Sequence, residues 1–267
     1  MSALSKAATS RRTPKIDMPF QPTIHRFDSI DSTNLEALRQ AKAGAPEGLC
    51  IVAREQTKGR GRLDRSWQSP PDAGLYMSLI LRPKFAMTAW PLITLMTALA
   101  VYDSLMKTCG LCADIKWPND LCVNDQKLCG ILAETVETAL GPAAVVGVGI
   151  NLRSEIVPLV QSEATSVETE TGRKPDGDLV LDELLNSIAE RYDLLCSAAG
   201  CEHIIREWCA HSTYAMGRRV RVTLSDEAFE GTTRGLESDG ALRVETAGGK
   251  MKVVRAGDVT AVRSTNG

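Results

Sequence analysis

Between Arg54 and Arg65 the chain carries five cations and two acids, a local charge of +3, while 31 Lys and Arg against 33 Asp and Glu leave the whole protein at −2. Gln56-Thr57-Lys58-Gly59-Arg60-Gly61-Arg62-Leu63-Asp64-Arg65-Ser66-Trp67 is the most unusual part of the sequence. Gly59 and Gly61 remove the Cβ atoms that would keep a ligand from the backbone, and they let successive N–H groups form an anion-binding concavity. Arg60 and Arg62 are two apart, so in an extended segment both guanidinium forks point to one side, suited to carboxylate or phosphate oxygens. Trp67 can cover an apolar or planar ring. On composition alone, a solvated basic loop explains the stretch equally well.

Further groups suited to chemistry follow. Lys116-Trp117-Pro118-Asn119-Asp120 presents a cation, an aromatic ring, an amide and a carboxylate in five residues, with Pro118 enforcing an extended or turned chain. Lys127 precedes Gly130 by three residues, and Gly147-Val148-Gly149-Ile150-Asn151 ends an apolar run on a polar amide. Singly, each Gly or Asn is better explained as structural. The chain has no G-x-x-x-x-G-K-[ST] and does not continue Gly147-Val148-Gly149 into G-x-G-x-x-G, so neither a P-loop nor a Rossmann fingerprint is present. Any bound phosphate must therefore be held by the arginine loop and Lys127. Such charges suit transfer at an α-phosphate, where electrostatics and positioning supply most of the catalysis.

Cys109-Gly110-Leu111-Cys112 raises zinc or redox chemistry, but no second C-x-x-C exists, and Cys122 and Cys129 fall on separate expected strands. Buried thiols at a helix end and on strands are the expectation. His203 and His211 are expected to face solvent or core polar groups.

These groups need a scaffold of alternating periodicities. Ile24–Phe27 reads as a strand, and Asp31-Ser32-Thr33-Asn34 offers several N-caps for a helix over Leu35–Ala43 that stops at Gly44. Cys50–Arg54 and Leu75–Leu81 read as strands flanking the polar loop. A core helix spans Thr88–Thr108, with Pro91 in its first turn. Ile115–Trp117, Leu121–Val123, Lys127–Thr135 and Ala143–Ile150 are expected strands, with Asn124-Asp125-Gln126 as a tight hairpin. Leu179–Ala198 and His203–His211 are expected helices. After Gly217, Arg219–Leu224, Phe229–Leu236, Ala241–Thr246 and Lys250–Arg255 give four or five short strands, a small β-barrel on a mixed α/β domain. The expected divisions are a disordered leader at 1–22, a main domain at 23–215 and the barrel at 216–264.

Hydrophobics at 43% and charges at 24% over 267 residues are ordinary globular values. Four of the cations lie in residues 1–15 with no acid, which reads as a solvated leader. No secretory signal is evident, and the apolar stretch Ala89–Tyr102 is too short and interrupted for a membrane span. With eight cysteines and no signal, a reducing, cytoplasmic location is expected.

Taken together and in order, Gly59-Arg60-Gly61-Arg62…Arg65…Trp67, Lys116-Trp117-Pro118-Asn119-Asp120, Lys127-Leu128-Cys129-Gly130-Ile131-Leu132 and Gly147-Val148-Gly149-Ile150-Asn151 resemble the biotin–protein ligase family. Ser32-Thr33-Asn34 upstream fits, and Gly235-Leu236-Glu237-Ser238-Asp239-Gly240-Ala241-Leu242 is similar to that family's small SH3-like domain. The resemblance runs from about residue 24 to 263. It implies an α+β fold, a class II synthetase-like mixed sheet with flanking helices plus the barrel. It also implies two half-reactions: biotin and ATP, with Mg²⁺, give biotinyl-5′-AMP and pyrophosphate, and a lysine of a biotin carboxyl carrier domain then takes the biotinyl group. By position, Ser32, Thr33, Asn34 and Gln56 would hold the biotin ring. Arg60, Gly61 and Arg62 would cover its carboxylate and the phosphate, with Gly130 nearby. Lys127 and Arg62 would be catalytic. Arg62, Arg65, Trp67, Lys116, Asn119, Lys127 and Asn151 would meet the nucleotide, and Asp120 is the candidate Mg²⁺ contact. The family's loop commonly orders on binding ligand.

One residue departs from the family pattern Gly-Arg-Gly-Arg-x-Gly-Arg-x-Trp: position 64 is Asp, which could pair with Arg62 or Arg65 and narrows the loop's backbone choices. Relatives that repress transcription need an N-terminal winged helix of roughly 60 residues, and only about 23 residues precede the first matched strand. The expectation is therefore a ligase without DNA or membrane partners, monomeric or homodimeric. A lipoate–protein ligase is the alternative, which the arginine loop and the barrel disfavour, and a pure nucleotide-binding module is the third reading.

Overall fold

The computed structural model describes residues 22–159 and 164–262. All but the last residue of the expected leader, the basic tail included, lies outside them, as do the final two residues of the expected barrel.

Seven strands form one mixed sheet: β1 (Thr23–Ile30), β2 (Leu49–Gln56), β3 (Gly74–Leu81), β4 (Asp114–Lys116), β5 (Asp120–Val123), β6 (Gln126–Val136) and β7 (Ala143–Asn151), in the spatial order β1-β2-β3-β7-β6-β5-β4. β1 and β2 are parallel, joined through helix α1 (Thr33–Lys42), and every other neighbouring pair is antiparallel. The central strands read as nearly unbroken apolar runs because both faces are covered. Successive side chains point to opposite faces. Ile51, Ile80 and Val145 pack with Ala37 and Ala41 of α1. Val52, Met77, Leu79 and Val146 face the larger core, with α2 (Pro91–Cys109), α4 (Gly177–Cys196) and α5 (Gly200–Ala210). α2 is long and apolar enough to span a bilayer by composition, but it is the central core helix, with Leu92, Met96, Leu99 and Leu105 wholly buried.

The C-terminal region is a five-stranded antiparallel sheet, β8 (Met216–Thr223), β9 (Ala228–Leu236), β10 (Leu242–Thr246), β11 (Met251–Val254) and β12 (Asp258–Ala261), in the order β11-β10-β9-β8-β12. Its inward residues Val220, Val222, Leu242, Val244 and Val259 join the same apolar core as α2, α4 and α5.

Several local expectations need correction. Ser32 is the α1 N-cap position but makes no side-chain cap, and Thr33 and Asn34 lie inside the first turn with buried side chains. The Met87–Ala89 segment is a separate 3-10 turn, and Pro91 opens α2 itself. The β5–β6 turn has two central residues, Asn124 and Asp125, both at positive φ (52° and 63°), so Gln126 already belongs to β6. A short helix, α3 (Val167–Thr171), follows the Ser166 cap and lies in a stretch that offered too few residues for a periodic signal. Cys112 is exposed and Cys109, the last residue of α2 before the left-handed Gly110 (φ 66°), is half-buried; Cys122 and Cys129 are buried. All eight cysteines are free, and among the described residues no cluster of three or more His, Cys, Asp or Glu has metal-binding geometry. His203 Nε2 lies 2.8 Å from Glu207 Oε1, and the His211 ring packs edge-on against Tyr102.

Candidate active site

Beyond the first turn of α1, the sheet face that α1 covers elsewhere is left open. Its floor sets small residues in register, Ser78 opposite Gly147 and Gly149 opposite Gly130, with Leu132 on the far side of Gly147. The glycines are required by close approach. A Cβ on Gly147 would sit 1.9 Å from Asn34 Oδ1, and one on Gly149 would sit 2.6 Å from the Trp67 indole. The hollow along this floor is lined by Ser32, Thr33, Asn34, Gln56, Arg60, Gly61, Arg62, Arg65, Trp67, Asn119, Asp120, Lys127 and Gly130. A second cleft adjoins it and is lined by Lys116 and Asn151 together with Arg65, Trp67, Asn119, Asp120 and Lys127. Every residue that the resemblance assigns to biotin, nucleotide or metal therefore lines one cleft or the other.

The loop is a folded hairpin across the mouth. Trp67 N donates to Gly59 O at 2.9 Å and Gly61 N to Arg65 O at 2.7 Å, and Arg60 and Ser66 form an antiparallel bridge. At its tip, Leu63 and Asp64 hold positive φ of 54° and 55°, and Arg65 N donates to Arg62 O at 3.2 Å. This is the mirror-image turn in which glycine is favoured. Asp64 is exposed and pairs with neither Arg62 nor Arg65, contrary to the sequence expectation. Those arginines are taken by acceptors elsewhere: Arg62 Nη1 donates to Asn119 Oδ1 at 2.9 Å and Nη2 to Gly257 O at 3.3 Å, while Arg65 is bound to Asp258.

The inner end of the hollow is neutral and polar. Thr33 N donates to Gln56 Oε1 at 2.8 Å, and the Ser78 hydroxyl lies 2.6 Å from Asn34 Oδ1 and 2.8 Å from Thr33 Oγ1. Gln56 Nε2 donates to Ser69 Oγ at 2.8 Å. The outer end is cationic. Lys127 Nζ lies 2.8 Å from Asp120 Oδ1 and 5.4 Å from the centre of the Trp67 ring. Arg62 touches only neutral oxygens, so burial draws its guanidinium below its ordinary pKa, opposed by the charges of Asp258 and Asp120. It remains a cation, and its charge is free to meet an incoming anion. Lys116 adds a further ammonium, 5.7 Å from the Tyr214 ring centre. Asn151 Nδ2 is committed to the carbonyls of Lys127 and Thr165, so this amide fixes the strand that carries Lys127.

Three contributors escaped the sequence reading. Ser78 and Glu134 carry no motif, although both lie on the same sheet face as Gly147 in a period-two pattern. Asp258 comes from β12, more than 190 residues from the arginine it binds.

Residues 26–151 match the biotin/lipoate A/B protein ligase family, and residues 215–260 match the biotin protein ligase C terminal domain. The bifunctional ligase/repressor BirA of Bacillus subtilis is 34% identical over 234 residues, covering 86% of this chain and 71% of that protein. The chain belongs to the biotin protein ligase family. Within it, the biotin–[acetyl-CoA-carboxylase] ligase of Paracoccus denitrificans is 35% identical over 234 residues, covering 85% of this chain and 95% of that one. Among solved structures, the biotin protein ligase from Aquifex aeolicus in complex with biotin and ATP superposes with a TM-score of 0.79 at 29% identity, covering 92% of this chain and 100% of that chain. The mixed sheet with flanking helices and the C-terminal antiparallel sheet are thus the fold of this ligase family.

Proposed function

We propose that the chain activates biotin with ATP as biotinyl-5′-AMP and transfers the biotinyl group to a lysine of a biotin carboxyl carrier domain. The observation that carries this reading is the join between the two clefts at Lys127 and Trp67. One cleft has a neutral end of hydroxyls and amides suited to an uncharged ureido ring, and a cationic end suited to a carboxylate. The other offers an aromatic ring, two amides and two ammonium groups, suited to a nucleotide.

In this reading Ser32, Thr33, Asn34 and Gln56 hold the ring, and Arg60, Gly61 and Gly130 bound the chain that follows it. Lys127 and Arg62 lie where the carboxylate meets the α-phosphate. Two anions must approach there, and both cations lower that repulsion and stabilise the charge that builds on the phosphoryl oxygens. A carboxylate oxygen forms the new bond to the α-phosphorus as the bond to the bridging oxygen breaks and pyrophosphate leaves. In the second step a neutral lysine amine attacks the acyl carbon, the bond to the phosphate oxygen breaks with its electron pair passing to AMP, the amine's surplus proton is released to solvent, and AMP leaves with the cations still balancing its charge. Arg65, Trp67, Lys116, Asn119 and Asn151 bound the nucleotide side, and the hairpin shields the mixed anhydride from water.

Mg²⁺ fits as a companion of the nucleotide. It binds readily through one or two carboxylates plus phosphates, and Asp120, beside Lys127, is the carboxylate that would meet it. Eight unpaired cysteines accord with a cytoplasmic location. The test is to incubate the chain with biotin, ATP, Mg²⁺ and a carrier domain and to read the carrier's mass. A single biotinyl addition on lysine is expected. An unmodified carrier with folded protein would contradict the proposal, and modification with lipoate in place of biotin would reassign it.

A further inference from the structure

Glu134 lies on β6, on the same sheet face as Gly130 and Leu132 of the first cleft and next to it, with its side chain about a quarter exposed. Its Oε2 accepts from Asn34 Nδ2 at 3.0 Å and also from Arg60 Nη1 at 3.0 Å. A carboxylate beside a cleft that gathers anions opposes ligand entry unless its charge is already engaged, and here one oxygen is engaged twice. Asn34 is itself fixed, with Nδ2 also donating to Leu132 O at 3.2 Å. From Asn34 the hydrogen bonds run through Ser78, Thr33, Gln56 and Ser69 to the carbonyl of Trp67. Trp67 N then bonds Gly59 O, the neighbour of Arg60. The hairpin is thus tied to the sheet on both of its strands, and on the strand from Gly59 to Arg62 the side-chain ties are Arg60 to Glu134 and Arg62 to Asn119.

We propose that Glu134 is a positioning residue that fastens the arginine hairpin over the cleft by holding Arg60 and Asn34 on one carboxylate oxygen. Its consequence for catalysis rests on the ligase reading above, while the tie itself does not. In Glu134→Gln the amide oxygen still accepts from Asn34, but the ion pair to Arg60 is lost, so the hairpin keeps only its Arg62 tie on that strand and opens more often, while the sheet remains intact.

The test is limited trypsin digestion of the purified full chain without biotin or ATP, with cleavage after Arg62 or Arg65 read by mass, for the parent, Glu134→Gln, Arg60→Met and the double variant. Glu134→Gln is expected to be cut there about tenfold faster, a loss equivalent to one charge-assisted hydrogen bond. Its melting temperature should be unchanged, and the double variant should be cut no faster than Arg60→Met alone. Parental cleavage by Glu134→Gln would overturn the proposal, as would effects that multiply in the double variant. A Glu134→Gln chain that fails to fold or melts lower would also overturn it, because the residue would then support the whole sheet. As a second readout, Glu134→Gln should lose the bound adenylate faster than the parent. A parent that forms no adenylate counts against the ligase reading alone, since the digestion uses no ligand.

Discussion

Lys127 and Arg62 are held in different ways, and the difference bears on what each can do. Lys127 is poised between the Asp120 carboxylate and the Trp67 ring, so its ammonium can exchange one anionic partner for another. Arg62 is gripped by the neutral oxygens of Asn119 and Gly257 and stays fixed as anions arrive and leave. Lys127→Met is therefore expected to slow biotin-dependent pyrophosphate release by about 10²–10³-fold, as when one preorganised donor is removed from a charge-developing site, with the melting temperature held. Release within threefold of the parent would argue against its role. At the cysteines, burial pushes the Cys122 thiol up to about 12, so it stays protonated through neutral and mildly alkaline pH. Alkylation of the folded chain at pH 8 should begin at exposed Cys112 and spare Cys122, as read by peptide mass. The cleft cations were legible because arginines, lysines and glycines are rare in such density. Ser78 and Glu134 were not, because a serine and a glutamate in strands have no signature until Gly147 and Asn34 are brought beside them.

Among the elements, the hairpin that carries the arginines is the one whose geometry the sequence left open. The chain closes it with its own backbone pairs and a turn whose two central residues both have positive φ. A non-glycine residue in that region costs about 1–2 kcal/mol, less for Asp than for most side chains. Asp64→Gly removes that cost at the position where the family pattern has glycine, partly offset by the greater freedom of glycine in the open loop. The expected outcome is slower loss of the adenylate, measured by filtration of the protein-bound intermediate, and an equal or faster loss would contradict it. Apart from α3 and β12, the strands and helices were legible to within a few residues, since apolar runs and the 3.6-residue period mark them strongly. Asp31 to Asn34 offered several N-caps, of which the chain takes Ser32, while Thr33 and Asn34 fall inside α1 and bond Ser78.

At the scale of the whole molecule, the C-terminal sheet is an extension of the main core and of the site. Trp117 Nε1 donates to Gly240 O at 3.0 Å across the join, and Gly257 O and Asp258 bind two arginines of the hairpin. A chain ending at Ala215 would uncover part of the shared core. It should lose about 3–5 kcal/mol, on the order of 10 °C in melting temperature, and its hairpin should become more sensitive to protease. A truncated chain that melts like the parent would show the two sheets to be independent. This join was invisible in the sequence, because contacts between residues 62 and 257 leave no local pattern. The two clefts meet at Lys127, the point at which the proposed reaction makes an acyl-adenylate. The most direct measurement mixes the protein with biotin, ATP and Mg²⁺ without any carrier, quenches in denaturant, and looks for biotinyl-5′-AMP by mass alongside released pyrophosphate. One adenylate per active chain with an equal amount of pyrophosphate is expected, and neither product when biotin is omitted. Pyrophosphate release that does not depend on biotin, or no adenylate from folded protein that binds both substrates, would contradict the proposed reaction.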